Sequence, residues 1–149
     1  MTTEIGRLLL VEDNPNDAEL TLGELGKYMD PDHVDHVTDG VDAMDFLRRT
    51  GRWANRPDGA PLVVLLDLKL PRMGGMEVLQ AIKDDPALCL TPVVVLTSSR
   101  EDRDLLESYR LGVNAYVVKP VGFQAFAEAI RGIGLFWAIL NEPPPRRPR

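Results

Sequence analysis

Residues 8–15 read Leu-Leu-Leu-Val-Glu-Asp-Asn-Pro, and this stretch decides the fold. Its first half is an uninterrupted apolar run, which is typical of a strand buried on both faces of a parallel sheet. Its second half predicts the start of a helix, because Asn14 is a good N-cap residue and Pro15 suits the first helical position. A buried strand that leads directly into a helix is the repeating unit of an α/β protein.

The same unit recurs along the rest of the chain. The predicted strands are segments 8–11, 34–38, 62–66, 93–96 and 116–118. Helix-period segments follow from Pro15 to about Met29, after Asp39-Gly40, around Met76 to Ile82, over Glu101 to Leu111 and over Phe123 to Leu140. Five strands with crossover helices predict a flavodoxin-like α/β fold. We expect a doubly wound parallel sheet in the strand order 2-1-3-4-5, with five helices.

Composition predicts one cytoplasmic domain. The chain has 149 residues, of which 44% are apolar, with a net charge of -6 and one cysteine. A chain of this length can form a core without a disulfide, and a lone cysteine suits a reducing compartment. The acidic balance argues against DNA binding, and we see neither a signal peptide nor an apolar run long enough to span a membrane. We expect a domain over residues 1–140 and a flexible Pro/Arg-rich tail over 141–149.

The carboxyl ends of the predicted strands carry acidic, hydroxyl and basic side chains. Glu12 and Asp13 follow strand one, Asp67 follows strand three, Thr97 follows strand four and Lys119 follows strand five. In an open α/β sheet these ends meet at the edge where ligands bind. Carboxylates brought together there would repel one another, and Mg2+ would remove that conflict. An anion held between Mg2+ and a lysine suggests phosphate, with Asp67 as the candidate nucleophile and Thr97 as a hydrogen-bond donor.

Structural roles for the same residues stay open. Glu12 or Asp13 taken alone also fits a cap of the following helix, although Asn14 competes for that role. Asp67 precedes Leu-Lys-Leu-Pro instead of a helix start, so capping explains it poorly. Lys119 is one of only four lysines, and an unpaired charge at the end of a buried strand is costly. The set as a whole therefore favours a functional site over its separate structural explanations.

Four segments carry these residues: Val11-Glu12-Asp13-Asn14, Leu66-Asp67 through Gly75, Leu96-Thr97-Ser98-Ser99 and Val118-Lys119-Pro120. Together they resemble the receiver domain of bacterial two-component response regulators. The resemblance implies that Asp67 accepts a phosphoryl group from a sensor histidine kinase. It also implies a Mg2+ site formed by Glu12, Asp13, Asp67 and the main-chain carbonyl of Lys69. Thr97, Ser98 and Lys119 would contact the phosphate, and the Lys119–Pro120 bond would be cis.

The same resemblance implies a switch. A phosphoryl group on Asp67 would draw the Thr97 hydroxyl inward and let the Tyr116 ring turn in. The face formed by helix four, strand five and helix five would change as a result. Such a receiver assists its own phosphorylation and dephosphorylation but is not an enzyme with a separate substrate. Because a nine-residue tail cannot form a DNA-binding module, we expect a stand-alone receiver that signals through a partner protein.

The last predicted helix has more apolar surface than one contact needs. A stripe of Phe126, Ile130, Ile133, Trp137 and Leu140 suffices to pack one face. Either the helix is well buried, or the surplus serves a homodimer or another partner protein. The predicted dimer interface comprises Phe126, Ile130, Phe136, Trp137, Ile139 and Leu140. The loop 51–61 and the ending 135–144 also resemble single-domain regulators of phytochrome-type histidine kinases (bacteriophytochromes), which are often homodimers.

Three other functions stay open. A haloacid-dehalogenase-like phosphatase also uses an aspartyl nucleophile with Mg2+, but it needs a second Asp where this chain has Lys69. A flavin carrier on the same fold needs a Ser/Thr-rich phosphate loop after strand one, whereas Glu12 and Asp13 would repel a phosphate. A phosphorylation-independent binding module is disfavoured only by the completeness of the acid, hydroxyl and lysine set.

Overall fold

Five parallel strands form the sheet of the computed structural model, which describes residues 6–145. They are β1 (Leu8–Val11), β2 (Val34–Val37), β3 (Val63–Leu66), β4 (Val93–Thr97) and β5 (Ala115–Val118). Their order is β2-β1-β3-β4-β5, as predicted. The register places Val11 beside Val37 and Leu66, and Leu66 beside Val95. The carboxyl ends of the central strands are therefore level with one another.

The predicted helices are present at the predicted places. They are α1 (Pro15–Leu25), α2 (Gly40–Arg48), α3 (Gly75–Asp84), α4 (Asp102–Arg110) and α5 (Phe123–Gly134). The Asn14 side chain accepts hydrogen bonds from the backbone of Asn16 and Asp17, which confirms the predicted N-cap. The prediction that this first helix reaches Met29 is wrong. It ends at Leu25, where Gly23 and Gly26 lower the helical propensity of the last turn.

The core consists of two apolar layers, one on each face of the sheet. Alternate strand residues point to opposite faces, so that Leu9 and Leu66 face α2 and α3 whereas Leu10 and Leu65 face α1 and α5. All the residues of β1, β3 and β4 are buried. The three central strands are thus a rigid support for whatever follows their carboxyl ends.

The helix α5 corrects the predicted dimer interface. Phe126 and Ile130 are buried in the core of their own domain, and Trp137 packs against the same cluster, so Phe126 and Ile130 cannot contact a partner. Leu140 belongs to the predicted packing stripe but is 73% exposed. The reason is that residues Leu135–Leu140 continue α5 as a π-helix, whose wider turn rotates the last residues off the stripe.

The segment Phe123–Leu140 is the one part of residues 6–145 that is long and apolar enough to cross a membrane. Only its length and composition support a membrane span, and 28% of the segment is buried inside the protein. Phe126, Ile130 and Ile133 lie in the core against the sheet. This packing is that of an amphipathic helix at the surface of a domain.

The loop 51–61 closes one end of α2. The Trp53 ring packs edge-on against Phe46 with 4.9 Å between ring centroids. Arg56 lies over the same Phe46 ring and donates a 2.6 Å hydrogen bond to the Phe46 carbonyl. Of the predicted tail, residues 142–145 have no regular secondary structure, and 146–149 lie outside the described residues. Pro143 to Pro145 line a groove of about 1000 Å3 together with residues of the loop.

Candidate phosphoacceptor site

The backbone holds three of the candidate residues one step beyond the ends of their strands. The amide of Glu12 donates to the Val37 carbonyl at 3.1 Å, and the amide of Asp67 donates to Val11 at the same distance. The amide of Lys119 donates to the Thr97 carbonyl at 2.7 Å. These bonds continue the hydrogen-bond ladders of the sheet, so the side chains of Glu12, Asp67 and Lys119 leave a rigid edge.

The loop after Asp67 is fixed by the start of α3. The Gly75 amide donates to the Leu68 carbonyl at 2.9 Å. A Cβ atom at Gly75 would lie 2.1 Å from the Asp67 carbonyl oxygen, so any side chain at this position would displace the helix or the loop. Gly75 therefore lets α3 approach the Asp67 backbone closely.

Lys119 brings the acidic residues together. Its Nζ donates hydrogen bonds to Glu12 Oε1 at 2.5 Å, to Asp17 Oδ2 at 2.9 Å and to Asp67 Oδ2 at 3.0 Å. An ammonium group has three N–H donors, so each donor has its own carboxylate. Glu12, Asp67 and Lys119 are all buried. The structure thus joins three of the predicted site residues and adds Asp17, which the sequence analysis missed.

The charges in this cluster shift the pKa of its members. Burial alone would lower the pKa of Lys119, but the hydrogen bonds to Glu12, Asp17 and Asp67 outweigh it and raise that pKa well above its usual value. Burial also raises the pKa of Glu12 to about 7; the Lys119 hydrogen bond opposes this rise and the Asp67 charge adds to it. Three carboxylates, those of Glu12, Asp17 and Asp67, share this single lysine.

Glu12, Asp13 and Asp67 could hold a metal ion. One carboxylate oxygen from each lies within 4.8 Å of the others. Glu12 and Asp67 are buried whereas Asp13 is exposed, so the cluster opens to solvent on one side. Carboxylate oxygens are the ligands of hard divalent cations, and the donor set fits such an ion. The Lys69 amide donates to Asp67 Oδ1 at 3.3 Å, while a ligand role for the Lys69 carbonyl stays a prediction.

The remaining predicted residues lie on the β4 and β5 side of the site. Thr97 is fully buried and its hydroxyl accepts a 3.4 Å hydrogen bond from the Ser99 amide, whereas Ser98 is exposed. The Tyr116 hydroxyl donates to the Ser99 carbonyl at 3.0 Å, and its ring packs against the core cluster of α2 and α3. Tyr116 is thus already turned toward the loop that follows Thr97. Its predicted movement on phosphorylation stays a prediction.

Two features were not foreseen. No peptide bond within residues 6–145 is cis, so the expected cis bond before Pro120 is absent, and Lys119 reaches its partners with the trans isomer that X–Pro bonds ordinarily adopt. Asp17 was overlooked because an acidic residue in the first turn of a helix is readily explained by the helix dipole. The available signal was its position, one turn after an acidic strand end and three residues after the N-cap Asn14.

Comparison with known proteins agrees with this geometry. Residues 8–131 match the response regulator receiver domain family. The response regulator Rcp1 of Synechocystis sp. is 39% identical over 134 residues, which are 87% of this chain and 87% of Rcp1. The crystal structure of the Mn2+-bound form of Rcp1 has a TM-score of 0.86, with 94% of this chain and 99% of that chain covered.

Two further solved structures are similar. The phosphorylated cyanobacterial phytochrome response regulator RcpA is 39% identical with a TM-score of 0.89, over 95% of this chain and 100% of RcpA. The bacteriophytochrome response regulator AtBRR is 56% identical with a TM-score of 0.74, over 94% of this chain and 100% of AtBRR. With a family match over most of its length and relatives of this similarity, the chain belongs to the response regulator receiver domain family.

Proposed function

We propose that Asp67 accepts a phosphoryl group from a sensor histidine kinase in a Mg2+-dependent reaction. The observation that carries this proposal is the contact of Lys119 with Asp67 and Glu12, two buried carboxylates that also belong to the metal-binding cluster. A cation site and a fixed ammonium group on the same buried carboxylate are what phosphoryl transfer to that carboxylate requires.

The chemistry follows from the position of each group. An Asp67 carboxylate oxygen attacks the phosphorus of a phosphohistidine in line with the P–N bond, which breaks as the new P–O bond forms. Glu12, Asp13, Asp67 and the Lys69 carbonyl would hold Mg2+, which neutralises charge on the transferring phosphoryl group. Lys119, Thr97 and Ser98 would bind its oxygens. Attack of water on the phosphoaspartate returns Asp67, so the receiver assists both steps without turning over a separate substrate.

The signal would leave through the face formed by α4, β5 and α5. Leu105, Leu106 and Tyr109 of α4 are exposed apolar or aromatic side chains on this side of the domain. The loop after Thr97 is joined to both elements, because the Ser99 carbonyl accepts a hydrogen bond from the Tyr116 hydroxyl of β5 and the Ser99 hydroxyl donates one to Asp104 of α4. A movement of that loop on phosphorylation would therefore change the surface that a downstream protein binds. We place this signalling in the cytoplasm, where the kinase domains that phosphorylate receivers lie.

We infer that the cognate kinase is a phytochrome-type histidine kinase. This inference is supported by the similarity to RcpA, a phytochrome response regulator, and by the higher identity to AtBRR, a bacteriophytochrome response regulator. A panel of purified histidine kinases tests it: a bacteriophytochrome kinase should transfer phosphate to the wild-type chain faster than unrelated kinases do.

We also infer a homodimer. Phe136, Ile139 and Leu140 are exposed along the π-helical end of α5, and an apolar patch of this kind marks a protein interface. A second copy of the chain is the occupant we propose. Sedimentation at micromolar concentration should give a dimer for the wild type and a monomer for Ile139→Glu; a wild-type monomer at every concentration contradicts the proposal.

The central experiment uses Mg2+ and a small acyl phosphate. The wild-type protein should be labelled, and Asp67→Asn should not, because an amide cannot accept the phosphoryl group. Asp84→Asn is a matched control, since Asp84 is an exposed aspartate at the end of α3 and its variant should be labelled like the wild type. Equal labelling of the wild type and Asp67→Asn, or none in either, contradicts the proposal.

A further inference from the structure

We propose that Asp17 is a positioning residue that anchors the Lys119 ammonium group over the phosphoacceptor. Asp17 Oδ2 accepts a 2.9 Å hydrogen bond from Lys119 Nζ, across 102 positions of the chain. The part of this inference that concerns phosphoryl transfer depends on the proposed function of Asp67. The anchoring contact itself does not depend on it.

Asp17 approaches the lysine from a different element than the other two carboxylates. Glu12 and Asp67 extend from strand ends, whereas Asp17 lies in the first turn of α1. Its backbone is held on both sides, because the Asp17 amide donates to Asn14 Oδ1 at 3.0 Å and the Asp17 carbonyl accepts from the buried Thr21 hydroxyl at 2.7 Å. The side chain is therefore presented to Lys119 from a fixed helical turn.

The three carboxylates differ in what else they would bind. Glu12 and Asp67 belong to the cluster that fits a divalent cation, and Asp17 does not. A carboxylate oxygen shared with a cation is a poorer partner for the ammonium group, because the cation already neutralises part of its charge. After phosphorylation of Asp67, the Lys119 donor that contacts Asp67 would pass to the phosphoryl oxygens. Lys119 can therefore keep its contact with Asp17 both before and after a cation and a phosphoryl group bind at Glu12 and Asp67.

A purely structural explanation of Asp17 is available and makes a different prediction. An acidic residue in the first turn of a helix stabilises it through the helix dipole. That effect requires only a negative charge on α1, not a contact with Lys119. Glu19 is an exposed carboxylate on the same helix, so Glu19→Gln removes a charge from α1 without touching the lysine.

The first measurement follows the Lys119 ammonium protons directly in metal-free protein. The chain has four lysines, at positions 27, 69, 83 and 119, and Lys119→Arg identifies the Lys119 signal in a 1H–15N spectrum. The side chain of Lys119 is only 7% exposed, so its protons should exchange slowly with water. Exchange should become severalfold faster in Asp17→Ala, less so in Asp17→Asn, which keeps an acceptor oxygen, and unchanged in Glu19→Gln. Unchanged exchange in Asp17→Ala overturns the anchoring contact.

The second measurement is the rate at which Asp67 is labelled by an acyl phosphate at saturating Mg2+ and fixed donor concentration. Loss of the anchor should slow labelling of Asp17→Ala by about tenfold, within the range that misplacing a group at a reacting centre costs. Removal of a negative charge near an anionic donor should by itself speed labelling, so the sign of the change separates the two explanations. A rate equal to or above that of the wild type overturns the positioning role.

The two measurements also separate this inference from the proposed function. If the wild type is not labelled at all, the proposed function of Asp67 fails, and the exchange measurement still decides whether Asp17 anchors Lys119. If the wild type and Glu19→Gln are labelled while both Asp17 variants are slowed, the anchor and the function are supported together. Circular dichroism shows whether α1 is retained, and Asp17→Asn provides a folded variant should Asp17→Ala lose it.

Discussion

Two lysines at opposite edges of the sheet bind very different partners. Lys119, at the carboxyl edge, donates to three carboxylates. Lys83, at the end of α3, donates to the carbonyls of Cys89 and Thr91 and to the Asn114 side-chain oxygen, at 3.2 to 3.4 Å. Burial lowers the pKa of Lys83, because its partners are neutral, whereas the carboxylates raise that of Lys119. Lys83 thus joins loops, whereas Lys119 holds together carboxylates that would otherwise repel one another.

Carboxylates at the two edges also differ in how they are paired. At the amino edge Asp35 pairs with Arg7, with Nε to Oδ2 at 2.8 Å. At the carboxyl edge Glu12, Asp17 and Asp67 share one lysine, and Asp13 lies beside them. Matched charges stabilise a fold, whereas an unmatched set of carboxylates lowers stability and attracts a cation. The excess of carboxylates over cations thus lies around Lys119, at the proposed phosphoacceptor site.

The largest loss of unfolding free energy is expected for Lys119→Met, at the carboxyl edge. Removing the cation leaves buried carboxylates unpaired, which costs about 3–5 kcal/mol of unfolding free energy. Urea unfolding in the presence of a chelator measures the loss. Adding Mg2+ should restore part of the lost stability, since the metal ion neutralises Glu12 and Asp67 in place of the lysine.

Lys83→Met is the matched control for that change. It removes hydrogen bonds to neutral oxygens, some of which water can replace, and should cost about 1 kcal/mol. Its stability should not respond to Mg2+. Equal losses in the two variants would mean that the carboxylates around Lys119 do not make it different from an ordinary buried lysine.

Most of this arrangement could be predicted from the sequence because the topology fixes it. The apolar run of β1 predicts its bounds, and residues that follow parallel strands must meet at one edge, which brings Glu12, Asp67 and Lys119 together. Asp17 could not be predicted in this way. Its contact depends on how the first turn of α1 directs a side chain back toward the sheet.

The end of α5 escaped prediction for a related reason. The apolar stripe assumes that α-helical geometry continues, and the change to π-helical bonding at Leu135 removes Leu140 from it. The rest of the stripe is confirmed, because Phe126, Ile130 and Ile133 are buried and Trp137 packs against them. Phe136 lies off the stripe and is exposed, as its position on the helix predicts.

A smaller change in unfolding free energy is expected when one carboxylate at each edge is neutralised. The change should have opposite signs at the two edges. Asp13→Asn should raise the metal-free unfolding free energy, because the Asp13 carboxylate lies close to those of Glu12 and Asp67. Asp35→Asn should lower it by about 1 kcal/mol, the value of a partly exposed ion pair. Thermal melts in a chelator measure both changes. A change of the same sign in both variants would contradict the proposed difference between Asp13, which is repelled by its neighbours, and Asp35, which is paired with an arginine.

The smallest expected effect is the salt dependence of the Asp13→Asn gain. Asp13 is exposed, so its repulsion of Glu12 and Asp67 passes largely through water. The screening length falls from about 10 Å at 0.1 M salt to about 3 Å at 1 M, which is shorter than the separation of most surface charges. The gain, about a few tenths of a kcal/mol at low salt, should therefore vanish at 1 M. The loss in Lys119→Met should persist in a chelator, because dissolved monovalent salt screens buried charges such as Glu12 and Asp67 much less than exposed ones. Melts of both variants over a salt series compare the two, and a gain that survives 1 M salt would mean that Asp13 acts through local structure instead of charge.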